Sequence, residues 1–248
     1  MTTGGVSGRC AQACGARPTE PTPVRPADEP TAVVVPAISG APWTASLGAN
    51  GGVRLRYRGT DLLRMEYPFH GPDWSWANPT VSEGEAGGGR ARFAIDVPGF
   101  HTRIDAVAEP AEPGVLAVRF TMHVERGLAG VIGGGPELNL VPDALRGRPG
   151  YADPELLPDG AGVRWPVGDG ETVTVRFDPP LPRLFFEQGR PTQIRAHLLG
   201  PDTEPGTHVV TMRVELPAGG AVEASLAERY AAGTAPWFPA TFDWDATP

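Results

Sequence analysis

Lysine is absent from this chain: all 21 basic residues are arginine, set against 29 acidic ones, for a formal charge of -8. The arginine-only complement reads first as the codon bias of a GC-rich genome. The acidic balance argues against nucleic acid or an anionic membrane as the main partner, because both reward a concentrated basic face. Cysteine is nearly missing too. Cys10 and Cys14 are the only two, and no histidine or further cysteine nearby completes a metal set, so they read as free thiols in a polar tail. No apolar stretch near the N-terminus is long enough for a secretory core, and no run anywhere is long enough to span a bilayer as a helix. The cytoplasm is therefore the default compartment.

The motifs of common chemistries are also missing. Histidines at 70, 101, 123, 197 and 208 never form a His-x3-His pair, so zinc chemistry has no support. No Gly-x-Ser-x-Gly elbow occurs, and neither cysteine has a neighbouring base. The glycine triplet in Gly127-Leu-Ala-Gly-Val-Ile-Gly-Gly-Gly-Pro-Glu-Leu-Asn-Leu140 resembles a phosphate loop, but it lacks the Lys-Ser/Thr that contacts phosphate and Pro136 starts no helix. Nucleotide binding is not expected, and no cofactor is implied. The glycines instead suit a close backbone approach that leaves Glu137 and Asn139 on one side of the following strand.

What the chain does contain is turn chemistry and period-two alternation. Glycine (33) and proline (29) are both abundant, which fits many short strands rather than long helices. Trp43 to Gly48, a turn at Asn50-Gly51-Gly52, and Val53 to Arg58 read as a hairpin with Val53, Leu55 and Tyr57 facing a core and Arg54, Arg56 and Arg58 facing water. Further strands are expected at 90–97, 100–108, 115–125, 171–177, 183–187, 193–199, 208–216 and 221–226. A single helical turn is placed at 226–232, capped by Ser225. With no βαβ rhythm and no long repeat, the expected fold is all-β: a large, supersandwich-like antiparallel β-sandwich over residues 41–234. Residues 1–40 read as a disordered leader and 235–248 as an aromatic linker or strap carrying Trp237, Phe238, Phe242 and Trp244. The poorly periodic stretch from Leu140 to Glu171 reads as a long connection.

Two segments carry chemistry. In His70-Gly-Pro-Asp-Trp-Ser-Trp-Ala-Asn-Pro79 two indoles stand at i and i+2, which on an extended backbone share a face; sugars stack their C–H faces on such a platform while His70, Asp73 and Asn78 bond to hydroxyls. The alternative is that Trp74 and Trp76 plug one end of the sandwich. The second segment is acidic: Asp153, Glu155 and Asp159 lie in the long connection, and with Glu137 one of them would make the carboxylate pair of a glycosidase or lyase if held across a sugar. A calcium loop fits the spacing poorly, and a solvated acidic loop is the plainer reading.

Gly71-Pro-Asp-Trp-Ser-Trp-Ala-Asn-Pro79, Val131-Ile-Gly-Gly-Gly-Pro-Glu-Leu-Asn-Leu140, Leu157-Pro-Asp-Gly160 and Trp165-Pro-Val-Gly168 together resemble the N-terminal accessory β-sandwich of large bacterial cellulase-type glycoside hydrolases. In those proteins a TIM-barrel catalytic domain follows, and Trp237 to Asp245 looks like the lead-in to it. The resemblance implies a non-catalytic, carbohydrate-associated module whose partners are a glycan, a glycoside hydrolase catalytic domain, or both; the residues' own chemistry makes His70, Asp73, Trp74, Trp76 and Glu137 the sugar-contacting candidates. It carries over no catalytic residue. A structural protein-interaction domain is the remaining expectation, separable by whether the two indoles are exposed.

Overall fold

A computed structural model describes residues 40–227 apart from 49 and 83. The expected leader (all but Gly40), Cys10, Cys14 and the aromatic segment 235–248 lie outside the described residues. Eighteen strands follow one another within them: β1 (Trp43–Gly48), β2 (Val53–Tyr57), β3 (Thr60–Glu66), β4 (Phe69–His70), β5 (Thr80–Val81), β6 (Glu85–Gly87), β7 (Arg90–Val97), β8 (Thr102–Glu112), β9 (Val115–Val124), β10 (Gly133–Gly134), β11 (Glu137–Leu140), β12 (Glu155–Leu156), β13 (Gly162–Gly168), β14 (Glu171–Asp178), β15 (Leu184–Glu187), β16 (Arg190–Ala196), β17 (Gly206–Glu215) and β18 (Ala221–Ala227). No α-helix occurs among the described residues, and four 3-10 turns each begin with proline at the first position.

The strands form an all-β fold of two large sheets. The smaller has the order β15-β16-β11-β3-β2-β1-β18, and the larger runs β12-β13-β14-β17-β9-β8-β7-β5 with β6 attached to β7. A short β10-β4 ribbon stands apart from both. All pairings among the described residues are antiparallel except β1 with β18, which is parallel. The first hairpin forms as the alternation requires, with Trp43 opposite Tyr57 and Leu47 opposite Val53, and Gly51 supplies the left-handed residue of its turn at φ 71°.

One face of each sheet supplies the core. From the smaller sheet come Trp43, Leu47, Leu55, Leu63, Met65, Leu138 and Ile194; from the larger come Ile95, Ile104, Val118, Phe120, Trp165 and Met212, all buried. Each large apolar side chain withdrawn from water in this way contributes roughly 1.5–3 kcal/mol before chain entropy is subtracted. Tyr67 ties the end of β3 to the larger sheet, with its ring 6.1 Å from Phe120 and 5.9 Å from Phe93. Its hydroxyl donates to the Gly51 carbonyl at 2.8 Å, so the buried polar atom is satisfied.

Two expectations are corrected. The stretch between Leu140 and Glu171 is not one long connection: it holds β12 and the seven-residue β13, whose Val163, Trp165 and Val167 are buried. Pro166 had disguised that alternation. It is tolerated because the β13–β14 register shifts between Pro166 and Gly168, at the place where a ladder donor is missing. The helical turn expected at 226–232 is contradicted at its start, where Leu226 and Ala227 continue β18 beside Leu47 and Gly48 of β1; the rest lies outside the described residues.

Candidate functional site

Because side chains alternate across a strand, the residues next to the core positions of the smaller sheet point to its outer face. Glu66 of β3, Glu137 of β11, Arg195 of β16 and Phe185 of β15 are direct cross-strand neighbours and form one row across that face. A second row runs Arg54, Arg64, Asn139 and Gln193 through β2, β3, β11 and β16. Most such faces are open to water, yet Glu137 is only 4% exposed. The cover comes from β4 and the turn that follows it.

Glycine makes that cover possible. A Cβ on Gly134 would stand 2.3 Å from the Pro68 carbonyl, and one on Gly135 would stand 2.3 Å from the Ala196 carbonyl. Only a residue without a side chain lets β10 lie so tightly between β4 and the end of β16. His70 then pairs with Gly133 on one side and bridges to Trp76 on the other. Between His70 and Trp76 the backbone folds into a 3-10 turn, Pro72–Trp74, closed by Ser75 N–H donating to the Pro72 carbonyl at 3.0 Å and the Ser75 hydroxyl donating to the same carbonyl at 2.7 Å. Asp73 and Trp74 take left-handed conformations at φ 52° and 61°, a strained setting for residues with side chains.

This turn changes how the indoles are presented. On the extended backbone expected from sequence, Trp74 and Trp76 would lie side by side; instead they flank the His70 imidazole, with ring centroids 5.3 Å and 5.5 Å from it and both edge-on. They are 52% and 51% exposed. Arg195 sits beneath. Its guanidinium lies 5.5 Å from the Trp74 ring centre, donates from Nη1 to His70 Nε2 at 3.1 Å, and pairs with Glu187 and, at 3.5 Å, with Glu137. Since the arginine can only donate, His70 Nε2 accepts, which assigns the ring proton to Nδ1. Burial, and then the Arg195 charge, hold the His70 imidazole below its ordinary pKa.

Glu137 is the anchor under this assembly. Its Oε1 accepts from Gln193 Nε2 at 2.6 Å and Asn139 Nδ2 at 3.1 Å, while Oε2 faces Arg195. A carboxylate so enclosed positions its neighbours rather than meeting a ligand. Its strand neighbour Glu66 is more open, and burial followed by the Glu137 charge pushes the Glu66 carboxyl above its ordinary pKa. Behind the site His197 is 4% exposed and stacks edge-on with Phe185 at 5.3 Å. Burial, and then Arg183, Arg195 and His70, lower its pKa to about 4.

Of the residues singled out from sequence, His70, Trp74, Trp76 and Glu137 converge through Arg195, whereas Asp73 stands exposed at the tip of the turn and makes no side-chain hydrogen bond or ion pair with the described residues. The acidic residues of the 140–171 stretch belong elsewhere. Glu155 lies on β12 at the edge of the larger sheet, paired with Arg164 at 2.9 Å, and Asp153 accepts from the Tyr151 hydroxyl at 3.4 Å. Asp159 occupies its own left-handed turn at φ 57°. No described contact joins any of the three to Glu137. Sequence reasoning missed Arg195, Gln193 and Glu66; the signal was the polar alternation in Gln193-Ile-Arg-Ala196 and Arg64-Met-Glu66, which marks an outer face without saying what covers it. No cluster of three metal-ligating side chains is present among the described residues. No protein-family model matches the chain, and no curated protein matches it.

Proposed function

We propose that this chain is a non-catalytic, carbohydrate-associated β-sandwich module serving a glycoside hydrolase system, and that it meets its glycan on the outer face of the smaller sheet. The observation that carries the reading is the pair Trp74 and Trp76. They are the two most exposed large apolar side chains among the described residues, and both pack edge-on against His70. The left-handed backbone at Trp74, the His70 ring between the indoles and the half-buried Arg195 against Trp74, itself paired with buried Glu137, give the two exposed indoles defined neighbours. An exposed indole already held by neighbours offers the C–H face of a pyranose a stacking surface at a reduced ordering cost. Burial of both indoles would have favoured a purely structural role. The link to a glycoside hydrolase rests on the sequence resemblance.

Titration of intrinsic fluorescence against a panel of soluble polysaccharides tests the reading. At least one glycan is expected to give a saturable change that Trp74→Ala and Trp76→Ala each abolish. Silence from every glycan, or full binding by both variants, overturns it. Release of reducing ends by the purified 248-residue chain would overturn its non-catalytic part.

A further inference from the structure

His70 touches both indoles and can change its charge. Its ring centre lies 5.3 Å from that of Trp74 and 5.5 Å from that of Trp76, and Arg195 Nη1 donates to its Nε2 at 3.1 Å. Arginine has no acceptor to offer, so this arrangement admits only an imidazole with a lone pair on Nε2. Protonation would turn Nε2 into a donor aimed at a donor and set two positive groups in contact. The other nitrogen offers no relief. Nδ1 is enclosed; the Trp74 main chain attracts its proton, but no full hydrogen bond closes there.

The charged groups around the ring do not remedy the conflict. From β11 and β15, Glu137 and Glu187 favour the imidazolium, but both are already paired with Arg195, and Glu137 also accepts from Gln193 and Asn139. β10 brings only Gly133 and Gly134 against β4. In the 72–74 turn Asp73 is exposed and makes no ion pair with the described residues. Behind the ring, His197 stays neutral down to about pH 4, with Arg183 beside it. Burial, and then Arg195, outweigh the Trp74 main chain, Glu137 and Glu187, so the His70 ring titrates below its ordinary 6.5.

A proton on this ring therefore requires movement. The His70 main chain is held by Gly133 on one side, by Trp76 on the other, and by Ile132 N–H donating to its carbonyl at 3.1 Å. Arg195 is held by Glu187 and Glu137. The half-buried imidazole has an outward path to water by rotation about its own side-chain bonds.

Resting on the carbohydrate reading above, we propose that His70 is a proton-operated latch on the indole pair: neutral, it packs between Trp74 and Trp76 on Arg195 and completes the sugar-stacking surface; protonated, it swings outward and dismantles that surface. The module thus holds its glycan at neutral pH and releases it on acidification. The outward ring, freed of burial and of Arg195, binds a proton more tightly than the packed one, and a ligand shifts an equilibrium toward the state it prefers.

Nuclear magnetic resonance of the full chain from pH 8 to pH 4 tests the latch without any sugar. Cross-relaxation between the His70 ring protons and both indoles is expected at pH 8 and should vanish as His70 titrates, with a midpoint below 6.5, while far-ultraviolet dichroism stays constant. Tryptophan emission should change with the same midpoint. His70→Gln keeps an acceptor for Arg195 but cannot titrate, and should lose the emission change. Trp74→Phe combined with Trp76→Phe, at exposed positions, should lose it while His70 still titrates. Contacts that persist in the protonated form overturn the latch, as does a ring still neutral at the pH where the dichroism collapses. Both outcomes are read from the wild-type chain, whatever the variants do. An emission change retained by His70→Gln overturns it as well. Silence from every glycan at neutral pH would instead remove the carbohydrate reading and leave the proton response standing.

Discussion

Acidification should destabilise this fold through His197, by an amount the structure specifies. An unfolded chain titrates histidine near its ordinary value of 6.5, whereas the buried His197 titrates at about 4. Between those values the unfolded chain takes up a proton that the folded protein refuses, so stability is complete above pH 6.5, falls as the pH drops and levels off below about 4. The 2.5-unit separation corresponds to about 3 kcal/mol at 1.36 kcal/mol per unit. Three groups that oppose the charged form, Arg183, Arg195 and His70, all surround the ring. Replacing His197 by Phe keeps an aromatic ring against Phe185 and removes the titration. Equilibrium urea unfolding of both proteins from pH 8 to pH 4 isolates the contribution, because carboxylates that also titrate over this range are common to the two and cancel in the difference. The wild type should lose about 3 kcal/mol relative to His197→Phe across the window. A difference that stays flat with pH would refute the argument that burial keeps this ring neutral.

Other outcomes follow from the same geometry. Glu137→Ala leaves Arg195, Gln193 and Asn139 without their shared acceptor and should cost about 3–4 kcal/mol, read as a lower urea midpoint; a loss below about 1 kcal/mol would show that the anchor is dispensable. Gly134→Ala forces a Cβ to 2.6 Å from the Phe69 Cα and should cost about 3 kcal/mol or more while weakening the near-ultraviolet dichroism of the indoles. Arg148 donates to Glu171 at 2.7 Å and to the Val167 carbonyl at 2.8 Å and covers the Tyr57 ring at 4.5 Å, so Arg148→Ala should lower stability by about 3 kcal/mol in the same assay without changing glycan binding.

The larger strands were legible because their alternation is clean: in β9, Val118, Phe120, Met122 and Val124 turn inward while Arg119, Thr121 and His123 turn outward, and no other period fits. β13 was hidden by one proline inside a correct pattern. At the site, the glycine triplet and the indoles were both visible, but their relation was not. Sequence spacing places Trp74 and Trp76 on one face of a strand; only the turn at Pro72, entered from a backbone that Ile132 N–H ties down at the His70 carbonyl at 3.1 Å, sets them on either side of His70. Arg195 was out of reach for a related reason. An arginine at an outward position normally meets water, and nothing near it in sequence announces that a loop some 120 residues earlier closes over it, at His70.

The lone parallel pairing, β1 with β18, has a consequence for biosynthesis. The hairpin of β1 and β2 leaves the ribosome early, but the strand that flanks β1 on its other side emerges only when residue 227 has been made. Until then a six-residue strand, buried throughout in the finished protein, offers a bare main-chain border to any passing nascent segment. A chain truncated upstream of Ala221 would keep that border bare and is expected to sediment as insoluble material more readily than the full chain.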